Sequence, residues 1–154
     1  MHLRDILEPD CVKVPLEAKD KHAAIIELVG LACQSHQIGD SELLVKAVMD
    51  RESTRTTGIG SGLAIPHGKC DKVDKLVMSV GKPAEPIDFD SIDGNPVDLI
   101  VLLASSHTQT GPHIQALARI SRLMTLHPFR DSLATASTSE QLFNIIQQYD
   151  EKIE

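Results

Sequence analysis

A layered α/β domain is the fold class this sequence predicts, and three observations carry that prediction. Val97 to Ala104 is a nearly unbroken apolar run, as expected for a strand covered by helices on both faces. Ile25, Leu28, Val29 and Ala32 recur at helical offsets and gather on one face. Three further helical stretches, each with its own start signal, are interleaved with short strand candidates. The 154 residues, 42% of them hydrophobic, provide for one substantial core and hence a single domain over residues 1–154.

Taken in order, Leu3, Ile6 and Leu7 predict a short helical turn ahead of Glu8-Pro9-Asp10. Cys11 to Val14 reads as a brief strand stopped by Pro15. The first long helix spans Lys19 to about His36 and is broken by Gly39, after which Asp40 caps the next. That second helix carries Leu43, Leu44, Ala47 and Val48 and runs out near Asp50-Arg51-Glu52. Ser53 to Gly62, rich in Thr, Ser and Gly, predicts a loop or tight turn. Leu63-Ala64-Ile65 and Leu76 to Val80 read as strands, and a polar connector with Pro83, Pro86 and Gly94 leads into the Val97–Ala104 run. Pro112 suits the first turn of a third helix, where its missing amide is not needed. The face expected for that helix is Ile114, Leu117, Ala118, Ser121 and Met124. Ser137 with Glu140 reads as a capping box ahead of Leu142, Ile145, Ile146 and Tyr149.

Composition excludes several function classes. Fifteen basic against twenty-two acidic residues give a net charge of -7, which disfavours nucleic acid or a membrane face as partner. Three Phe, one Tyr and no Trp leave few rings for stacking bases. Cys11, Cys33 and Cys70 form neither a CxxC pair nor a disulfide framework, which points to a reducing compartment. The opening residues lack a signal-peptide core, and no run approaches the roughly eighteen apolar residues of a membrane span. A soluble cytoplasmic protein is expected.

The segment from Thr56 to Lys69 is the most informative. It sets a glycine-rich, hydroxyl-bearing loop just before an imidazole, His67, flanked by Pro66 and Gly68. Pro66 biases Ile65 toward extended geometry and Gly68 removes bulk beyond the ring, so His67 is expected to face outward from a strand end. A neutral imidazole nitrogen is nucleophilic near pH 7 and accepts a phosphoryl group. The hydroxyls of Thr56 and Thr57 and the amides around Gly58, Gly60 and Gly62 are candidate donors to its oxygens. The glycine spacing matches neither a Walker A loop nor a dinucleotide fingerprint. Spacing alone leaves a second reading open, in which the glycines only shape a turn and His67 ends a loop.

Three blocks in order carry a resemblance across nearly the whole chain: Asp50-Arg51-Glu52, then Thr57-Gly58-Ile59-Gly60-x-Gly62-Leu63-Ala64-Ile65-Pro66-His67-Gly68, then His113-Ile114-x-x-Leu117-Ala118-x-Ile120-Ser121. With them the chain resembles the enzyme IIA domains of the bacterial phosphoenolpyruvate-dependent phosphotransferase system, in the fructose/mannitol branch and especially its nitrogen-regulatory form. The resemblance implies a mixed β-sheet sandwiched between helices. It implies that His67 is phosphorylated on Nε2 by a small histidine-phosphorylated carrier protein of the HPr/NPr kind, with His113 approaching it and Arg51 beside the same pocket. In a sugar-transport relative the recipient is a IIB domain. No cofactor and no metal are implied, and His107, His67, Cys70 and His113 match no standard zinc spacing.

His113 and Arg51 also have rationales of their own. The first turn of a helix favours anions, and an imidazole there can donate to a phosphoryl oxygen or orient His67. Arg51 can hold two phosphoryl oxygens at once, or simply pair with Asp50 or Glu52. The segment His107 to Pro112 departs from the family pattern in a region where members vary. Three functions follow as expectations: a phosphocarrier acting mainly as a nitrogen- or carbon-related regulator, a stand-alone sugar-uptake IIA component, or a binding regulator that takes no phosphate.

Overall fold

The computed structural model describes residues 1–153. A 3-10 turn at Leu3–Asp5 leads into β1 (Leu7–Leu16), followed by α1 (Lys21–His36) and α2 (Ser41–Thr54). Three short strands follow, β2 (Gly58–Gly60), β3 (Leu63–Ala64) and β4 (His67–Lys69). Then come β5 (Val77–Pro83), β6 (Leu99–Ser105), α3 (Thr110–Met124), α4 (His127–Thr135) and α5 (Ser139–Lys152). The six-stranded sheet has the order β1-β5-β6-β3-β2, and β4 also pairs with β6. It is mixed: β1 with β5 and both β3 and β4 with β6 are parallel, whereas β5 with β6 and β2 with β3 are antiparallel.

Every residue of β6 is buried, because its two faces pack against different helices. Leu99, Val101 and Leu103 join the cluster that includes Ala116, Ile120, Leu123, Phe129, Leu142 and Ile146 from α3, α4 and α5. Ile100, Leu102 and Ala104 join Ile25, Leu28, Val29, Leu44 and Val48 from α1 and α2. The alternation is the period-two geometry of a strand, and it fixes register because a one-residue slip would exchange the two faces. No helix among the described residues is long and apolar enough to cross a membrane.

Several local expectations are corrected. β1 does not stop at Pro15; it runs through Pro9 and Pro15 because it lies at the sheet's edge, and both prolines fall in stretches where its register with β5 is irregular. The Val14 amide on this strand donates to Ser139 Oγ of α5 at 3.0 Å. Asp20, accepting from the Ala23 amide at 2.8 Å, starts α1 two residues later than expected, and Gln37 in the left-handed region (φ 56°) ends it ahead of Gly39. Asp40 caps α2 as expected, accepting from Leu43 N at 3.1 Å. The cap of α5 is Thr138, which accepts from Gln141 N at 3.1 Å; Ser137 instead donates its amide to Gln141 Oε1 at 2.8 Å.

The buried face of α3 is rotated from the one expected. His113, Ala116, Ile120, Leu123 and Met124 point inward, whereas Ile114 is 60% exposed and Ala118 is exposed. Two offset stripes compete on this helix, and the inward one contains a histidine that polarity alone would place in solvent. α4 had no counterpart in the sequence reading, since it is held by only two buried apolar residues, Phe129 and Leu133.

The end of α4 is fastened by a cation. Lys82 Nζ donates to the carbonyls of Leu133 (2.6 Å), Ala136 (3.0 Å) and Ala134 (3.3 Å) at the C-terminal end of the helix, where Leu133 O also accepts from Ala136 N at 3.2 Å. Lys82→Met keeps the stem and removes the charge and donors. It should lower unfolding free energy in urea by about 2 kcal/mol, and a change below a few tenths would mean solvent already satisfies those carbonyls.

Candidate functional site

β3 and β4 lie end to end along the same edge of β6, and Ile65-Pro66 bridges them. Leu63 and Ala64 pair with Leu99 and Ile100, and His67, Gly68 and Lys69 pair with Leu103, Ala104 and Ser105. In between, the Leu103 amide donates to Pro66 O at 3.1 Å, so the ladder continues where proline could not donate. His67 therefore sits at the start of a paired strand and its ring is half-buried, less open than a loop end would make it. Gly68 has a steric reason. A Cβ there would lie 3.0 Å from Val48 N and 3.1 Å from Ala47 C, so only glycine lets α2 approach β4 this closely.

His67 Nδ1 lies 2.8 Å from Ile65 O. A carbonyl only accepts, so Nδ1 carries the proton and Nε2 keeps the nucleophilic lone pair. Burial lowers the imidazole's pKa below its usual 6.5, and Arg51 and Lys69 act in the same direction, while the Ile65 carbonyl and Glu52 oppose them. The ring is thus neutral at physiological pH, the state a nucleophile requires.

His113 stands behind it. The two ring centroids are 5.2 Å apart and the planes meet at 67°. His113 is 4% exposed, its Nδ1 is 2.9 Å from Ser105 Oγ, and its Nε2 is buried without a hydrogen-bond partner. Its own amide donates to Gln109 O at 3.0 Å, so the contribution of this residue comes from the ring and not from an unpaired helix-end amide.

Burial, then His67 and Lys69, push the His113 pKa from 6.5 down to about 4. The unfolded chain binds this proton near the usual value, so between the two values it holds more protons than the folded chain, and stability falls as pH falls. The contribution lost from about pH 7 to about pH 4 is on the order of 3 kcal/mol. Urea unfolding at several pH values should therefore show a shallower slope for His113→Gln than for the native chain. Equal slopes would mean that this ring titrates alike in both states.

Arg51 closes α2 on the same side. Its Nη1 donates to Arg55 O at 3.2 Å and lies 3.4 Å from Thr54 Oγ1. It does not take the carboxylates beside it: Lys46 pairs with Asp50 at 2.7 Å and Lys21 with Glu52 at 2.8 Å. Arg51 and His67 line one open cleft of about 280 Å³, whose walls include Ile59, Ile92 and Leu117.

The hydroxyl-rich loop has other work than the sequence suggested. Glu52, buried at the end of α2, accepts from Thr57 N (2.9 Å) and from Thr57 Oγ1 (2.5 Å). Thr56 Oγ1 donates to Phe89 O at 2.5 Å and accepts from Gly58 N at 3.1 Å. Both hydroxyls and the Gly58 amide, read as donors to a phosphoryl group, are already engaged here. Gly60 and Gly62 supply the positive φ of the β2–β3 turn (106° and 78°). Thr57 O then accepts from Ile65 N at 3.1 Å. A continuous chain from Glu52 through Thr57 and Ile65 thus ends on His67 Nδ1. Glu52, Lys21 and Ser105 were missed as contributors to the site. Glu52 was visible only as the neighbour of Arg51, and no sequence signal marks the other two.

The family model described as "Phosphoenolpyruvate-dependent sugar phosphotransferase system, EIIA 2" matches residues 5–149. A nitrogen regulatory protein of Bradyrhizobium diazoefficiens is 33% identical over 147 residues, covering 95% of either chain. The fructose-specific EIIABC component of Bacillus subtilis is 31% identical over 97% of this chain, which spans only 24% of that longer protein. Among solved structures, the nitrogen regulatory protein IIA-Ntr of Neisseria meningitidis superposes with a TM-score of 0.85 at 28% identity, over 94% of this chain and 98% of that one. The chain belongs to the EIIA 2 family of the phosphoenolpyruvate-dependent sugar phosphotransferase system, a family of phosphohistidine-relay proteins.

Proposed function

We propose that this chain is a phosphohistidine carrier in which His67 Nε2 accepts a phosphoryl group from a histidine-phosphorylated carrier protein of the HPr/NPr kind, and that it acts mainly as a regulator tied to nitrogen or carbon supply. The observation that carries the proposal is the Nδ1 contact of His67 with Ile65 O, which leaves Nε2 nucleophilic on the wall of the cleft that Arg51 also lines. In transfer, the Nε2–P bond forms as the donor's N–P bond breaks, and that bond's electron pair returns to the donor ring. The proton stays on Nδ1, donated to Ile65 O. Arg51 and His113 face the charge on the equatorial oxygens, Thr56 and Thr57 line the cleft wall, and Gly58, Gly60 and Gly62 shape the β2–β3 hairpin that brings Ile59 to it.

The regulatory role is favoured by similarity to nitrogen regulatory proteins over nearly their whole length. A second reading, a sugar-uptake component discharging to a IIB domain, is supported by the fructose-specific relatives. Incubation with enzyme I, carrier protein and labelled phosphoenolpyruvate should place an acid-labile label on the chain. A chase with a fructose-type IIB domain then separates the two roles: retained label supports regulation, and rapid discharge supports uptake. An unlabelled chain across competent carriers would leave only a binding role.

A further inference from the structure

Ser105 is the last residue of β6, fully buried, and its hydroxyl meets the inner nitrogen of His113. We propose that Ser105 is a positioning residue that donates its hydroxyl proton to His113 Nδ1 and so holds that ring as the Nε2–H tautomer, keeping one donor ready for a phosphoryl oxygen on His67. The proposal rests on the reading that His67 carries the phosphoryl group.

Two arrangements of the Ser105–His113 contact are possible, and they differ in how many buried groups they leave unmet. If His113 donates from Nδ1, the serine proton needs another acceptor and Nε2 becomes a bare lone pair; neither group has a recorded partner. If Ser105 donates, its proton is placed and only the Nε2–H is unmatched. One unmet donor costs less than an unmet donor together with an unmet acceptor, so the second arrangement wins. The unmatched N–H belongs to a ring that packs edge-on against His67 at 5.2 Å, the one place where a new anion arrives on phosphorylation.

The backbone holds the serine in register for this. Ser105 pairs with Lys69 of β4, two residues beyond His67, and its carbonyl accepts from Cys70 N at 2.9 Å. The same short piece of β4 and β6 therefore locates both the acceptor ring and the hydroxyl that orients its neighbour. The depressed pKa of His113 agrees with this role, because a neutral ring presents a single donor whose direction depends on its tautomer. The contact moves no proton between residues; on phosphorylation the Nε2–H only hydrogen-bonds the new oxygen.

The test combines long-range ¹H–¹⁵N correlation of the imidazoles with single-turnover phosphoryl transfer, on the native chain, Ser105→Ala and Ser105→Thr. The native His113 should show a protonated Nε2 and an unprotonated Nδ1. Ser105→Ala should give a mixture of tautomers and a transfer rate about tenfold lower. Ser105→Thr, which keeps the hydroxyl, should retain the native tautomer with a rate within about twofold of native. A protonated Nδ1 on native His113 overturns the proposal even if the alanine variant does not fold. So does a folded alanine variant with native tautomer and native rate. Because the tautomer is read without any carrier, a native chain that shows the expected tautomer but takes no label marks failure of the underlying reading, and the role of Ser105 in transfer falls with it.

Discussion

His67→Ala should take up no acid-labile phosphoryl group from the carrier, with transfer at least about 10³-fold below the native chain. The reason is specific to this site. The other imidazole within reach, His113, is buried, and the Ser105 contact leaves a proton on the nitrogen that would have to attack. It cannot substitute as nucleophile. The loss should be chemical and not structural. His67 is half-buried and its recorded side-chain hydrogen bond goes to Ile65 O, so removing the ring should cost no more than about 2 kcal/mol of stability. Thermal unfolding followed by circular dichroism would verify a folded variant. Label surviving on folded His67→Ala would move the acceptor elsewhere and undo the assignment.

Much of this molecule was legible in the sequence, and the parts that were not share a cause. The β6 run, the inward stripe of α1 and the Asp40 cap announce themselves because local pattern and tertiary burial agree there. The Pro66-His67-Gly68 block was legible only in part: proline and glycine restrict the backbone there, but the pairing of β4 with β6 that leaves the ring half-buried depends on a strand distant in sequence. Legibility ended where a distant partner decides. β1 tolerates Pro9 and Pro15 only because the sheet order puts it at an edge. Gly58–Gly60 becomes a strand only because β3 lies beside it. Polarity kept His113 off the expected face of α3, yet Ser105 and His67 give it a place inside. Thr56 and Thr57 were read as donors to a ligand, but Phe89 O and Glu52, distant or unremarkable in sequence, use those hydroxyls first. Residue types indicated which chemistry was available, and the tertiary contacts determined which groups remained free to perform it.

Arg51→Ala should slow phosphoryl transfer about a hundredfold, the second largest effect expected, with carrier affinity changing much less. Two features of the site set this expectation. With Thr56, Thr57 and Gly58 committed to the protein, Arg51 is one of two permanent cations on the cleft wall, and it, rather than the exposed Arg55, is the one whose charge acts on the His67 imidazole. Asp50 and Glu52 are paired with Lys46 and Lys21, so Arg51 is not neutralised by the acids flanking it in sequence. Arg51→Lys restores the charge but not the planar fork, and should recover less than half of the lost activation free energy. A second signature distinguishes electrostatics from mere shape. Arg51 contributes to holding the His67 pKa down; without it the imidazole protonates at higher pH, and the acid limb of the rate profile should move upward. Lysine at this position should return that limb toward its native place even where it fails to restore the rate. A native rate and an unmoved profile in Arg51→Ala would show that the cation lies beside the reaction without acting on it, and would leave Arg55 and the His113 N–H as the groups facing the transferred charge.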